Sequence, residues 1–491
     1  MNRARATFTA LVIFAAACSA SSTSTTLTPS ATTASTQPPT TFAAETIVGT
    51  AGAPGLGDSY YPGLGNGGYD AQTYTVAITW DPDTGILTGT TTMVAVATKD
   101  LASFFVDFAG FDVLEIKVDG ANAGARAPVP SEFDMLVTPA DPIGRGTMFE
   151  LVITYTGTPR PIQSVALPID AGWTTTNTGT SYVVTEPDGA YSWFPVNDHP
   201  LDKAIFRFEI TVPEGVTAVA NGVLAEIVTD IGSNTWIWQG TQPMAPYLAT
   251  VVIGDLEIVD DPAGSELAGV TIRNVLPPDI AADPPEALGL QGEMISYFST
   301  IFGPYPFATY GIASVAGFDA ALENQTLSVF SEDIVRSGFL EIVLVHEIAH
   351  QWIGNSVSLS DWSDIWLNEG FATYAEWLWE ENQRGPQARD LLIADAYATM
   401  EQLPPLAPGA PPPDDLFAFS VYNRGALTLH ALRQRVGDDV FFDILKTYAT
   451  RFANGNVRTA DFIAVSEELS SLDLASLFDE WLYALELPPL P

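Results

Sequence analysis

His346, Glu347, His350 and Glu369 are the residues whose types and spacing could do chemistry. Two imidazoles four positions apart on a helix share one face, so both rings can reach a single Zn²⁺ at about 2.0–2.1 Å. Glu369, nineteen positions after His350, can supply a third ligand. Three protein ligands with a fourth position left for water is the catalytic arrangement of zinc, not the closed structural one. Glu347, beside the first ligand, stands where it could take a proton from that water. The chain has four histidines, and two of them fall in this pattern, on the apolar run 342–352. Glu376 lies seven residues beyond Glu369, two helical turns along the same face. It reads either as a hydrogen-bond acceptor for a ligand imidazole or as a surface glutamate.

The elements that must position these residues fall into two classes. From Ile47 to Val259 the pattern is β. Alternating runs at 74–80, 86–97, 104–108, 113–118, 147–155, 204–212 and 235–239 are separated by turn residues such as Asp81-Pro82-Asp83-Thr84-Gly85. After Val259 a helix is expected over 285–302, with strands over 310–315 and 320–330. The helix carrying both histidines, the helix carrying Glu369 and a helix-rich tail follow, the tail with helices beginning near Tyr422, Asp438 and Thr459. The fold class is therefore multidomain, β followed by α/β: an all-β domain over 46–259 and a mainly helical metal-site domain over 260–491.

Arg3 and Arg5, then the apolar run 8–17, have the form of an export signal over 1–18. It ends at Cys18, the only cysteine of the chain. This resembles a bacterial lipoprotein signal, with Ala15 where a bulkier aliphatic residue is usual. Lipidation at Cys18 would hold the protein at a membrane, on the cell surface or the periplasmic face; an ordinary secretory signal is the alternative. The charge-free Ser/Thr/Pro-rich stretch 19–45 reads as a tether. The 59 acidic residues against 19 Lys and Arg give a formal net charge of −40. Such a field repels phosphates, which excludes nucleic acid as a partner, and it favours cationic ligands such as peptide amino termini. Oligomeric state is not legible.

Several separated stretches resemble the zinc aminopeptidases typified by aminopeptidase N, a family that includes leukotriene hydrolase. They are HEIAHQW at 346–352 with WLNEGFA at 366–372, Ala320-Ala321-Leu322-Glu323-Asn324 in place of the family's GAMEN strand, and Tyr422-Asn423-Arg424-Gly425-Ala426. Within the β region they are 65–69, Glu186-Pro187-Asp188-Gly189-Ala190 and 193–198. The resemblance implies a saddle-like β domain over a thermolysin-like catalytic domain, in a short form without the family's further C-terminal domains. It implies one zinc per chain and removal of N-terminal residues from peptides. It also implies Tyr422 as oxyanion donor, Glu323 and Glu186 as ligands of the substrate ammonium, and Ala320, Ala321 and Asn324 as substrate-binding neighbours. Ala320 and Leu322 depart from the family's Gly and Met and are expected to reshape the first side-chain pocket. Two other readings stay open at this level: an endopeptidase on the same scaffold, which needs neither Glu323 nor Glu186, and a surface protein whose zinc module only binds.

Overall fold

The computed structural model describes residues 49–126, 133–164, 166 and 169–490. The expected signal 1–18, Cys18 and the tether 19–45 lie outside the described residues. Among the described residues the first half is sheet. An eight-stranded sheet runs in the order Val223–Asp230, Ser233–Gln239, Ile205–Pro213, Tyr69–Asp81, Ile86–Ala97, Met148–Gly157, Asp112–Val118, Ala121–Asn122. Its pairs are antiparallel except Tyr69–Asp81 with Ile205–Pro213. Strand Ile86–Ala97 alternates strictly between buried and more accessible positions, the period-2 pattern of a sheet covered on one face.

That covered face packs on a five-stranded sheet of Ile162–Gln163, Asp170–Thr175, Ser181–Val184, Val251–Gly254 and Thr217–Ala220. Trp80 of the large sheet meets Trp173 of the smaller one at 5.0 Å between ring centroids. Trp238 Nε1 donates across to the Ala218 carbonyl at 3.0 Å. Strands Ser181–Val184 and Val251–Gly254 are buried at every position. With no polar alternation to mark them, they were absent from the expected strands.

A further sheet begins across the expected boundary at 259/260. Strand Glu257–Asp260 pairs with Thr271–Leu276, which opens a sheet continuing through Ile312–Val315 and Ser328–Ser331 to Ala321–Leu322. The single strand expected over 320–330 is instead two short antiparallel strands joined by the loop 323–327. The loop breaks the strand because its polar side chains are used elsewhere, as described below. Helices follow at Gln291–Phe302, Leu340–His350, Trp366–Arg384, Pro386–Gln402, Phe419–Val436, Asp438–Arg451 and Thr459–Ser470. No helix among the described residues is long and apolar enough to cross a membrane.

Residues 47–491 form one contact unit, and buried polar contacts join its two halves. Asp58 is 4% exposed. It accepts from the amides of Tyr60, Tyr61 and Trp362, each at 2.8 Å, and lies 3.2 Å from His199 Nε2. Lys203 Nζ donates to the carbonyls of Asn355 and Ser356 at 2.8 and 2.9 Å. Burial raises the Asp58 pKa, but the hydrogen bonds from His199 and the three amides outweigh it and hold the carboxyl below its usual value. A depressed folded-state pKa contributes stability above the unfolded value of about 3.9, lost as pH falls through the folded value. Asp58→Ala is expected to lower stability by about 3 kcal/mol at neutral pH, and acidification should shrink the difference. Denaturant unfolding of both proteins at neutral and acid pH checks this; equal midpoints at neutral pH would refute it.

Candidate active site

The site forms where three helices meet the edge of the second sheet. Leu340–His350 is apolar on its packed face and brings His346 and His350 to the same side one turn apart. Their ring centroids are 4.7 Å apart. Helix Trp366–Arg384 presents Glu369 in its first turn. Glu369 Oε2 stands 3.3 Å from His346 Nε2 and 3.5 Å from His350 Nε2.

These atoms suit a metal. Tetrahedral ligands at about 2.0–2.1 Å from zinc stand roughly 3.4 Å from each other, which is the spacing seen. Each imidazole also has its other nitrogen occupied. His346 Nδ1 is 2.7 Å from Glu376 Oε1 and His350 Nδ1 is 3.2 Å from the Ile353 carbonyl, so in both rings Nε2 is the nitrogen free to ligate. Burial opposes a charge on His346, but Glu369, Glu376 and Glu347 together raise its pKa well above the ordinary value. Protons on these rings would leave when a metal entered. Glu347 is 4% exposed, its Oε2 accepts no hydrogen bond, and burial pushes its carboxyl up to about 7 against the pull of the two histidines.

A second cluster adjoins the first. One oxygen each of Glu186, Glu323 and Glu369 lie within 4.8 Å of one another. Glu186 and Glu323 are 5% and 4% exposed, and each has a buried Oε1 with no hydrogen-bond partner. Burial above all, then the neighbouring carboxylates, raises Glu186 well above its usual range. Burial also raises Glu323, with His350 opposing it. Two buried carboxylates with no Lys or Arg beside them among the described residues of the cleft have the chemistry to receive a cation.

Glu323 is held by the loop 323–327. Gln351 and Asn355 donate to the Glu323 carbonyl at 3.1 and 2.6 Å, and Gln351 Oε1 accepts from Thr326 N at 2.9 Å. On the other side Asn221 Nδ2 donates to the Gln325 carbonyl and Gly222 N to Thr326 Oγ1, both at 2.8 Å. Thr326 sits at φ 68, a region a β-branched residue rarely adopts, between these two clamps. Glu186 follows strand Ser181–Val184. The segment after it is tied down by Asp198 Oδ2, which accepts from Gly189 N and Tyr191 N at 3.0 and 3.2 Å.

Tyr422 lies in the first turn of Phe419–Val436, a helix that starts three residues earlier than expected. Its ring is near-parallel to that of His346, 5.9 Å away. Helices Trp366–Arg384 and Phe419–Val436 cross at Gly370 and Gly425. A Cβ on Gly370 would lie 2.9 Å from Gly425 C, and one on Gly425 would lie 3.0 Å from Gly370 Cα. Arg424, 2% exposed, donates to the carbonyls of Trp481, Glu480, Ala484 and Glu486 at 2.6–3.1 Å, fastening the segment 480–486 beneath Tyr422.

The cleft holds about 190 Å³ and is lined by both clusters, Tyr422, Ala320, Ala321 and Leu322. Asn324 does not line it: the side chain is buried and donates to the Leu248 carbonyl at 3.2 Å, which makes it a strut of the loop. Ile169, Asp319 and Phe417 also line the cleft. No sequence signal marked Ile169 or Phe417; Asp319 could have been flagged as the neighbour of the 320–324 motif. Glu376→Gln is expected to weaken zinc binding by about 10- to 100-fold, measured by competition with a chromogenic chelator; unchanged affinity would refute the orienting contact.

The model of the Peptidase M1 N-terminal domain matches residues 70–248, and that of the Peptidase family M1 domain matches 286–481. Aminopeptidase N of Streptomyces lividans is 28% identical over 355 residues, covering 67% of this chain and 40% of that protein. Human aminopeptidase N is 30% identical over 294 residues, covering 54% and 30%. The chain spans less than half the length of the curated relatives it matches. The crystal structure of an M1 zinc metallopeptidase from Deinococcus radiodurans is similar with a TM-score of 0.80 and 33% identity, covering 89% of this chain and 98% of that one. A mutant of the Deinococcus protein was solved with a Tyr-Ser-Ala substrate.

Proposed function

The chain belongs to the peptidase M1 family, and from that premise we propose that it is a zinc-dependent aminopeptidase acting on peptides with a free N-terminus. The observation that carries the reading is the pair of buried, unpartnered carboxylates beside the metal-ligand set. An endopeptidase or a purely structural zinc module has no use for Glu186 and Glu323 there. In this reading His346, His350 and Glu369 hold one zinc ion. When bound, the zinc supplies Lewis acidity at the scissile carbonyl and lowers the pKa of water at its side.

The remaining work belongs to side chains. Glu186 and Glu323 bind the α-ammonium by charge-assisted hydrogen bonds and so fix the first peptide bond over the ligand set. Glu347 takes the proton of the attacking water and returns it to the leaving amine. Tyr422 donates its hydroxyl to the oxygen that gains charge as the carbonyl carbon becomes tetrahedral. Ala320 and Ala321 border the first side chain of the substrate. Glu376 keeps the His346 ring in its ligating orientation.

Glu347→Gln is expected to reduce turnover by about 10³-fold with zinc content unchanged by metal analysis. The same enzyme should cleave a leucyl arylamide at least about 100-fold faster than its N-acetyl form, because acetylation removes two charge-assisted contacts. Equal cleavage of both would sink the aminopeptidase reading. Export and lipidation at Cys18 belong to the proposal and rest on the signal-like segment and its lone cysteine. Metabolic labelling with a radioactive fatty acid should mark the protein and fail to mark Cys18→Ser.

A further inference from the structure

Glu186 follows strand Ser181–Val184 of the five-stranded sheet, and Glu323 follows strand Ala321–Leu322 in the sheet of the second half. A receptor for one ammonium needs both carboxylates at a set distance, so one element must refer them to the same frame. That element is the buried turn Pro246–Leu248. The backbone pairing of Ser181–Val184 with Val251–Gly254 joins Ser181 to Ile253 and Tyr182 to Val252. Toward Glu186 two fully buried hydroxyls continue the connection. Thr250 Oγ1 donates to the Val183 carbonyl at 2.7 Å, and Thr185 Oγ1 donates to the Tyr247 carbonyl at 2.8 Å. The next carbonyl, that of Leu248, accepts from Asn324 Nδ2 at 3.2 Å and from Asn221 Nδ2 at 2.9 Å. Thr185 and Asn324 are the chain neighbours of Glu186 and Glu323. The two carboxylates therefore hang, each through an adjacent residue, from consecutive carbonyls of one turn. The turn is itself held. Leu248 N and Ala249 N donate to the Ala245 and Pro246 carbonyls at 3.1 and 3.0 Å. The Tyr247 ring meets Trp362 edge-on at 5.2 Å, and Trp362 belongs to the single helical turn Trp362–Asp364 just before the helix of Glu369. Burial above all, then Glu323, Glu186 and Glu369, raises the Tyr247 phenol well above its usual range, so it keeps its proton beside all three carboxylates.

We propose that Thr185 is a positioning residue, one that sets the spacing of Glu186 from Glu323 through the turn Pro246–Leu248. The proposal rests on the aminopeptidase reading, in which those two carboxylates bind the substrate ammonium. The Thr185 hydroxyl anchors the backbone at 185, so that the Glu186 carboxylate is presented where Glu323, anchored at the next carbonyl, can share the same cation. Two charge-assisted contacts reinforce each other only when both acids reach the ammonium together. A hydroxyl that served strand packing alone would leave amine binding untouched once the fold was intact.

Thr185→Val keeps the shape of the side chain and removes the hydroxyl, whereas Thr185→Ser keeps the hydroxyl. Inhibition of leucyl arylamide hydrolysis is read with two probes: isoamylamine, which offers an ammonium and an apolar chain, and acetohydroxamate, which offers a zinc ligand and no ammonium. In Thr185→Val the inhibition constant of isoamylamine is expected to rise about tenfold, while that of acetohydroxamate stays unchanged. The KM of leucyl arylamide should rise by more than kcat falls, and Thr185→Ser should restore amine binding. Unchanged amine binding in Thr185→Val, equal weakening of both probes, or no rescue by serine would overturn the assignment. Asn324→Leu removes the anchor at the other end of the turn and carries the same expectation. If Thr185→Val does not fold, unchanged inhibition by isoamylamine in Asn324→Leu decides against the proposal. Failure of both variants to fold would assign the two hydrogen bonds to the fold as a whole and would refute it as well. An unaltered enzyme inhibited by acetohydroxamate and not by isoamylamine would refute the ammonium receptor, and with it the aminopeptidase reading. Normal inhibition by isoamylamine in every variant would refute the positioning role alone.

Discussion

Burying negative charge without a positive partner is the constraint on which this structure turns. Glu186, Glu323, Glu347 and Glu369 are each at most 5% exposed and face one cleft. Among the described residues, the only groups lining the cleft that can carry positive charge are two imidazoles. Desolvating an isolated carboxylate is expensive enough that such groups normally neutralise or find a cation. In the proposed reading the missing charge comes in two parts from outside the chain, a divalent ion among His346, His350 and Glu369 and an ammonium between Glu186 and Glu323. Glu369 belongs to both clusters, so the two clusters are neighbours.

The surrounding structure keeps these groups from relaxing apart. Gln351 and Asn355, just beyond the metal helix, hold the Glu323 carbonyl. The Asn355 carbonyl in turn accepts from Lys203 of the β half. Asn221, Gly222 and Leu248 hold the far side of the same loop. The carboxylate on that loop is therefore positioned by both halves of the chain, as is the strained Thr326. Stored strain of this kind persists only when the neighbours over-determine it.

How much of this was legible beforehand follows from periodicity. The strand Ile86–Ala97 has polar positions on one face and could be read to the residue. The strands Ser181–Val184 and Val251–Gly254 are buried on both faces and carry no alternation. The metal ligands were legible because a helix fixes the distance between positions four apart. Glu323 came from a motif resemblance, but the break of its strand at 323–327 depends on partners about 100 residues earlier in the chain, Asn221 and Gly222. No local rule reports those. The contact of Asn324 with the Leu248 carbonyl is equally non-local. Ile169 and Phe417 reach the cleft only through tertiary packing.

The crossing of Gly370 and Gly425 has a genetic consequence. Two helix backbones touch there without side chains between them, and the residues next in line are Glu369 on one helix and, three positions earlier, Tyr422 on the other. A clash between large side chains can be relieved by shrinking either one. No residue is smaller than glycine, so a substitution on one helix has no compensating substitution on the other. The pair should be inherited together, and searches for second-site suppressors of a change at either position should return none from the facing helix.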